Sequence, residues 1–217
     1  LDDLVADAVG VLDAYGLTTA HIAGASMGGM IAQGLCINYP DRVRTATLVM
    51  SSPLSGGGGE SPDLGSEDLE GPSAEWLEEM MAINLRPAET REDKVQKRID
   101  AFAKLAGSVE PFHEAKQRLI AEPEVDRAVN LDAMNNHAVA IAMSSPPDRR
   151  PLLKTVAIPI LVVHGTEDPI LPYPHGVALA ETIPGSELLT LERAGHDMPD
   201  CYEDDIVNRM MDLQRRG

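Results

Sequence analysis

Between residues 19 and 52 an apolar run, a stretch of helical period and a second apolar run follow one another with only short connections. Strands joined through a helix in this way pair in parallel, and a parallel sheet carries helices on its faces, so its central strands are apolar on both sides. The strands are expected at residues 19–25 and 44–52, and the helix at 30–38, where Pro40 ends it. Upstream, Leu1, Leu4, Val5, Ala8, Leu12 and Tyr15 stand at helical spacing and Gly16 takes the C-cap place, which predicts an amphipathic helix over residues 1–15.

After Pro53 the character changes. Four consecutive glycines at 56–59 and eight acids without a base between Glu60 and Glu79 read as a mobile connection. From there to Pro147 the pattern is helical. Thr90 and Asp93 form a capping-box pair, and Val95, Ile99, Phe102 and Leu105 make one apolar stripe. Leu119, Ile120, Val125, Met134, Val139, Ile141 and Met143 continue the apolar positions. Strand patterns return at 158–165 and 187–191, with helices at 175–183 and 201–215. The chain thus divides into an α/β core at residues 1–54, a helical cap at 55–150 and the rest of the core at 151–217. With 217 residues and 43% hydrophobic content, it can bury one sizeable core and carry an inserted lid.

Ser26 stands where the first strand pattern meets the first helix pattern, within GASMG. A serine hydroxyl is a poor nucleophile near neutral pH, so it needs a base within hydrogen-bond reach and a carboxylate to orient that base. The G-x-S-x-G turn presents such a serine at a sharp strand-to-helix corner, where small neighbours let the two elements approach. The motif predicts an acid and then a histidine downstream, each in the loop after a strand. Asp168, in GTEDPI, directly follows the strand pattern 158–165, and Pro169 stiffens its loop. Its neighbour Glu167 is the alternative acid. His196, in AGHDMP, follows the strand pattern 187–191 and is the candidate base. Asp197 adjoins His196 and reads as structural.

The other histidines have plainer readings. His164 ends a buried strand as a core residue, His175 opens a helix, and His21 begins the serine strand. His113 and His137 fall in the cap, where a substrate contact stays open. The glycines at 56–59 lack the lysine and the helix start of a phosphate loop and read as a flexible link.

Taken together, GASMGGM, HGTEDPI and AGHDMP resemble the α/β-hydrolase superfamily along essentially the whole chain. NLRPAETREDKVQKRI in the cap and IPILVVHGTEDPILPYPHGVALAETIPGSEL near the end are similar to the branch of aclacinomycin methylesterase, whose members hydrolyse a methyl ester on an anthracycline polyketide. The resemblance implies Ser26 as nucleophile, Asp168 as orienting acid and His196 as base, with the Met27 backbone N–H as one oxyanion donor. It implies a second donor from a loop after an earlier strand, with an HG or GG-type motif, which these residues do not contain. Losing one such donor costs about 10² to 10³ in rate. It also implies an earlier strand beside the serine strand, supplied by N-terminal residues or by a second chain. Without that strand, residues 19–25 would be a bare apolar edge, so the chain is expected not to fold alone.

The expected activity is serine-dependent ester hydrolysis through an acyl-serine, on a small apolar or polycyclic ester. The alternatives are an enol-lactonase or perhydrolase of the same fold, or a ligand-binding homologue with little turnover. Dehalogenases and epoxide hydrolases resemble this fold with aspartate at the elbow, and Ser26 disfavours them. No metal-ligand cluster and no cofactor motif is present in the sequence, and the mechanism calls for neither. A net charge of −17 repels nucleic acid and anionic membrane. No apolar run approaches the roughly 18 residues of a membrane span. Cys36 and Cys201 have no CxxC or metal-type spacing and suit a reducing, cytoplasmic setting, with a signal peptide upstream of residue 1 left open.

Overall fold

The computed structural model describes residues 1–55, 68–129, 140–141 and 146–217. The glycines 56–59, the first acids of the 60–79 stretch, Met134, His137, Val139 and Met143 lie outside the described residues.

Four parallel strands form one sheet in the order β1 (Ala20–Ala25), β2 (Val43–Val49), β3 (Ile160–Gly165), β4 (Glu187–Leu191). Helix α1 (Asp2–Ala14) ends as expected beside Gly16, which has φ +67°. There Gly16 N–H donates to the Asp13 carbonyl and Leu17 N–H to the Leu12 carbonyl, the paired bonds of a Schellman cap. Tyr15, placed at the end of the apolar stripe by its spacing, is instead exposed. Helix α2 (Met27–Asn38) starts three residues earlier than its hydrophobic period suggests, because Met27, Gly28 and Gly29 complete its first turn directly after the strand.

The alternating faces of the sheet explain the two cores. On one side Val5, Leu35, Ala46, Leu48, Ile160, Val162 and Leu179 pack together, drawing in α1, α2 and α6 (Pro174–Thr182). On the other, Val49, Leu161, Val163 and Leu191 pack against Ile206 and Leu213 of α7 (Glu203–Gln214). All six residues of β3 are buried, as a central parallel strand requires. β1 differs. Ile22 packs into the first core, while Ala23 and Ala25 are exposed, and among the described residues β1 pairs with β2 alone.

Helices α3 (Ala74–Leu85), α4 (Arg91–Ala103) and α5 (Glu114–Arg127) form the insert between β2 and β3. Thr90 and Asp93 make the reciprocal capping box that their spacing predicts. Val95 and Ile99 are buried against Ala121, with Val125 beside them, but Leu119 and Ile120 are exposed. Pro123 lies within α5, removing a backbone donor there without ending the helix.

The two ends of the insert meet over a buried polar network. Leu54 and Asp148 form an antiparallel bridge, Ser55 N–H donates to the Pro147 carbonyl and Arg149 N–H to the Pro53 carbonyl. Arg149 is 5% exposed, and its side chain donates to Gln33 Oε1, Ser55 Oγ and the carbonyls of Ser52 and Leu54. Burial pushes its pKa down to about 10, so it stays charged at neutral pH, its charge spread over four acceptors.

Candidate active site

Ser26 sits between β1 and α2 with φ 54° and ψ −120°, a backbone state that side chains rarely adopt and that neighbours must enforce. The enforcement is visible. Ser26 N–H donates to the Val49 carbonyl of the adjacent strand, and the Ser26 carbonyl accepts from Gly29 N–H, Met30 N–H and the Ser51 hydroxyl. Gly24 shows why the motif needs its first glycine: a Cβ there would stand 2.1 Å from the Gly28 carbonyl oxygen. At Gly28 nothing lies within 4 Å of a Cβ, whereas at Gly29 the Ser51 side chain lies at 2.5 Å. The close strand-to-helix approach therefore rests on Gly24 and Gly29 among the described residues. Met27 opens α2, so its N–H has no acceptor within the helix and is available to an incoming anion.

Along the same carboxyl edge of the parallel sheet, the loops after β3 and β4 bring Asp168 and His196 together. His196 Nδ1 lies 2.7 Å from Asp168 Oδ2, with the carboxylate wholly buried and the imidazole nearly so. A carboxylate can only accept here, so Nδ1 carries a proton, and in the neutral ring Nε2 keeps its lone pair. Asp168 Oδ1 accepts from the N–H groups of Ile170 and Leu171, which fixes the carboxyl plane. Burial opposes its ionisation, but hydrogen bonds from His164, His196 and the Leu171 N–H win, holding its pKa down to about 2.

The alternative acid takes another role. Both Glu167 oxygens accept from Ser108, Oε2 from its N–H at 2.7 Å and Oε1 from its hydroxyl at 2.9 Å, so Glu167 is committed to the insert. Asp197 accepts from Gly195 N–H within its own turn, the structural place assigned to it, and burial raises its pKa. Among the described residues no hydrogen bond joins Ser26 to His196.

His164 is the residue whose part the sequence does not announce. It is buried as expected for a core residue, yet its Nε2 donates to the Leu171 carbonyl at 2.7 Å and lies 3.4 Å from Asp168 Oδ2. Its Nδ1 has no hydrogen-bond partner among the described residues. His175 is buried, accepting from the Ser52 hydroxyl and donating to the Glu70 carbonyl, and burial lowers its pKa. His21 bonds Thr45 across β1 and β2, and His113 is exposed at the start of α5. Among the described residues no group of three His, Cys, Asp or Glu side chains could hold a metal ion, and no helix is long and apolar enough to cross a membrane.

Comparison with known proteins places this arrangement. The model of the alpha/beta hydrolase fold family matches residues 1–200. Over 205 residues the chain is 31% identical to rhodomycin D methylesterase of Streptomyces peucetius, covering 91% of this chain and 67% of that protein. Over 195 residues it is 29% identical to a 2-hydroxy-6-oxononadienedioate/2-hydroxy-6-oxononatrienedioate hydrolase of Paraburkholderia phymatum, covering 86% of this chain and 59% of that one. Among solved structures, the enol-lactonase of Burkholderia xenovorans superposes with a TM-score of 0.67 at 19% identity, covering 98% of this chain and 72% of the other, a likeness of fold. The parallel sheet, the strained serine corner and a family match along nine-tenths of the sequence agree: the chain belongs to the α/β hydrolase fold family.

Proposed function

We propose that the protein is a serine-dependent carboxylic ester hydrolase in which Ser26 is the nucleophile, His196 the base and Asp168 the orienting acid. The observation that carries the reading is the 2.7 Å contact between His196 Nδ1 and the buried Asp168 carboxylate, which fixes the Nδ1–H tautomer of the neutral ring. In the first step Nε2 takes the Ser26 proton as Oγ attacks the ester carbonyl. The oxyanion rests on the Met27 N–H, and the alcohol leaves with the proton from His196. Water then attacks the acyl-serine, its proton passing to His196 and on to the departing Ser26 oxygen.

One donor makes half an oxyanion hole. The second is assigned to a segment pairing with the outer edge of β1, from the same chain or a partner chain, because a strand edge without a partner among the described residues, bearing exposed alanines, is a surface that soluble proteins cover. The insert is read as a cap over the site. For substrate class we infer a methyl ester on an apolar polycyclic acid, supported by the likeness to rhodomycin D methylesterase. Two free thiols, Cys36 buried and Cys201 exposed, fit a cytoplasmic setting.

The test is hydrolysis of matched esters by the wild type and Ser26→Ala. Ser26-dependent turnover, with kcat/KM higher for a polycyclic aromatic methyl ester than for methyl acetate, is the expected result. Turnover that survives Ser26→Ala would overturn the nucleophile. Equal kcat/KM for the two esters would overturn the substrate class.

A further inference from the structure

The segment joining α4 to α5 lies directly on the histidine loop. The Leu105 carbonyl accepts from His196 N–H at 2.7 Å, and Val109 N–H donates to the Arg193 carbonyl at 3.0 Å. The contact is backbone on backbone. A Cβ at Gly107 would stand 2.1 Å from the Arg193 carbonyl oxygen, and one at Gly195 would stand 2.1 Å from that of Leu105. Between these bonds Ser108 gives both its donors to Glu167. Glu167 N–H in turn donates to the Ala194 carbonyl, so this one residue is tied to the insert by its side chain and to the histidine loop by its backbone. Its next neighbour in sequence is Asp168.

We propose that Glu167 is a positioning residue: its carboxylate fastens segment 105–109 against the histidine loop, and that segment holds the backbone from which His196 reaches Asp168. A carboxylate suits the task because it accepts two converging bonds, from one residue's N–H and hydroxyl, each strengthened by its charge. Glu167 is exposed, so truncating it removes little packing and leaves the core intact. What is lost is the tie. Because the insert carries the other end of that tie, a ligand that moves the insert also shifts the mounting of the histidine. The inference rests on the reading of Ser26, Asp168 and His196 as a hydrolase triad.

The experiment compares wild type, Glu167→Gln, Glu167→Ala, Ser108→Ala and the Glu167→Ala/Ser108→Ala pair on p-nitrophenyl acetate, with Ser26→Ala as control. Small misplacements of a catalytic group are costly in rate. Glu167→Ala is expected to lower kcat by about tenfold with KM within about threefold. Glu167→Gln, which keeps an acceptor oxygen for Ser108, is expected to recover to within about threefold of wild type. The double variant should be no worse than Glu167→Ala, because both changes cut one link. Wild-type kcat in Glu167→Ala, or losses that multiply in the pair, would overturn the proposal. A readout free of turnover is the low-field Nδ1 proton of His196 in NMR spectra. It should stay sharp in wild type and Glu167→Gln and broaden in Glu167→Ala. An unchanged resonance in Glu167→Ala would overturn the tie, whereas wild-type turnover that survives Ser26→Ala would overturn the triad reading and leave the resonance to decide the tie.

Discussion

At the acid–histidine end of the site, three stretches of backbone are hydrogen-bonded to one another: the loop after β3, the loop after β4 and segment 105–109. At the serine end, β1 has one partner strand among the described residues and exposed alanines, and Ser26 is held by its own corner and by β2. The difference separates two ways of holding a reactive group. His196 and Asp168 are fixed by many weak ties shared across distant segments. The serine is fixed by local strain, which a few contacts must enforce. Changes to the first end should therefore lose rate before fold, and changes to the second should lose both.

The largest effect is expected for Asp168→Asn, which leaves packing in place but lets His196 adopt the wrong tautomer. Turnover should fall about 10⁴-fold, the size of loss that the same change brings in serine proteases, and a steady-state kcat reduced less than tenfold would contradict the assignment. On the serine side, Gly24→Ala drives a methyl into the Gly28 carbonyl and should cost about 3 kcal/mol in urea unfolding along with activity. Gly28→Ala meets nothing within 4 Å and should cost far less. Equal damage from the two would mean that Gly28 is crowded by something beyond the described residues. Arg149→Ala should cost a similar amount, about 3 kcal/mol, because four acceptors lose a buried donor at once.

Smaller effects sharpen the contrast. Folding lowers the pKa of Asp168 from 3.8 to about 2, so its ionised form contributes stability above the unfolded value and loses it as pH falls through the folded one. That contribution is about 2 kcal/mol near neutrality. The stability difference between wild type and Asp168→Asn should shrink by about this much between about pH 4 and about pH 2. A pH-independent difference would contradict it. Thr90→Ala, in the insert and away from both ends, should cost about 1 kcal/mol through its capping box and leave kcat unchanged.

Much of this was legible in the residues because local signals and tertiary needs agree. Ser26, Asp168 and His196 each follow an apolar run, and the run that becomes β4 carries its own boundaries at Glu187 and Leu191. The apolar spacing of Val95 and Ile99 marks the buried stripe of α4. What the residues do not reveal depends on partners far away in sequence. Nothing near Glu167 indicates Ser108, and Arg149, within a charged run beside two prolines, gives no local sign of burial under both ends of the insert. Strand and helix ends also shift: the run 158–165 starts pairing at Ile160, and the run 44–52 stops at Val49, where Met50 turns to φ 40°. His164 looks like one more core residue until the fold sets it against Asp168.

The central claim is that Ser26 is made nucleophilic by His196 and Asp168. Its most direct test is the intact mass of the protein before and after treatment with a fluorophosphonate, with Ser26→Ala and Asp168→Asn alongside. The account predicts one phosphonyl adduct on the wild type, none on Ser26→Ala and a strongly slowed reaction on Asp168→Asn. No adduct on a folded wild type, or an adduct that persists in Ser26→Ala, would contradict it.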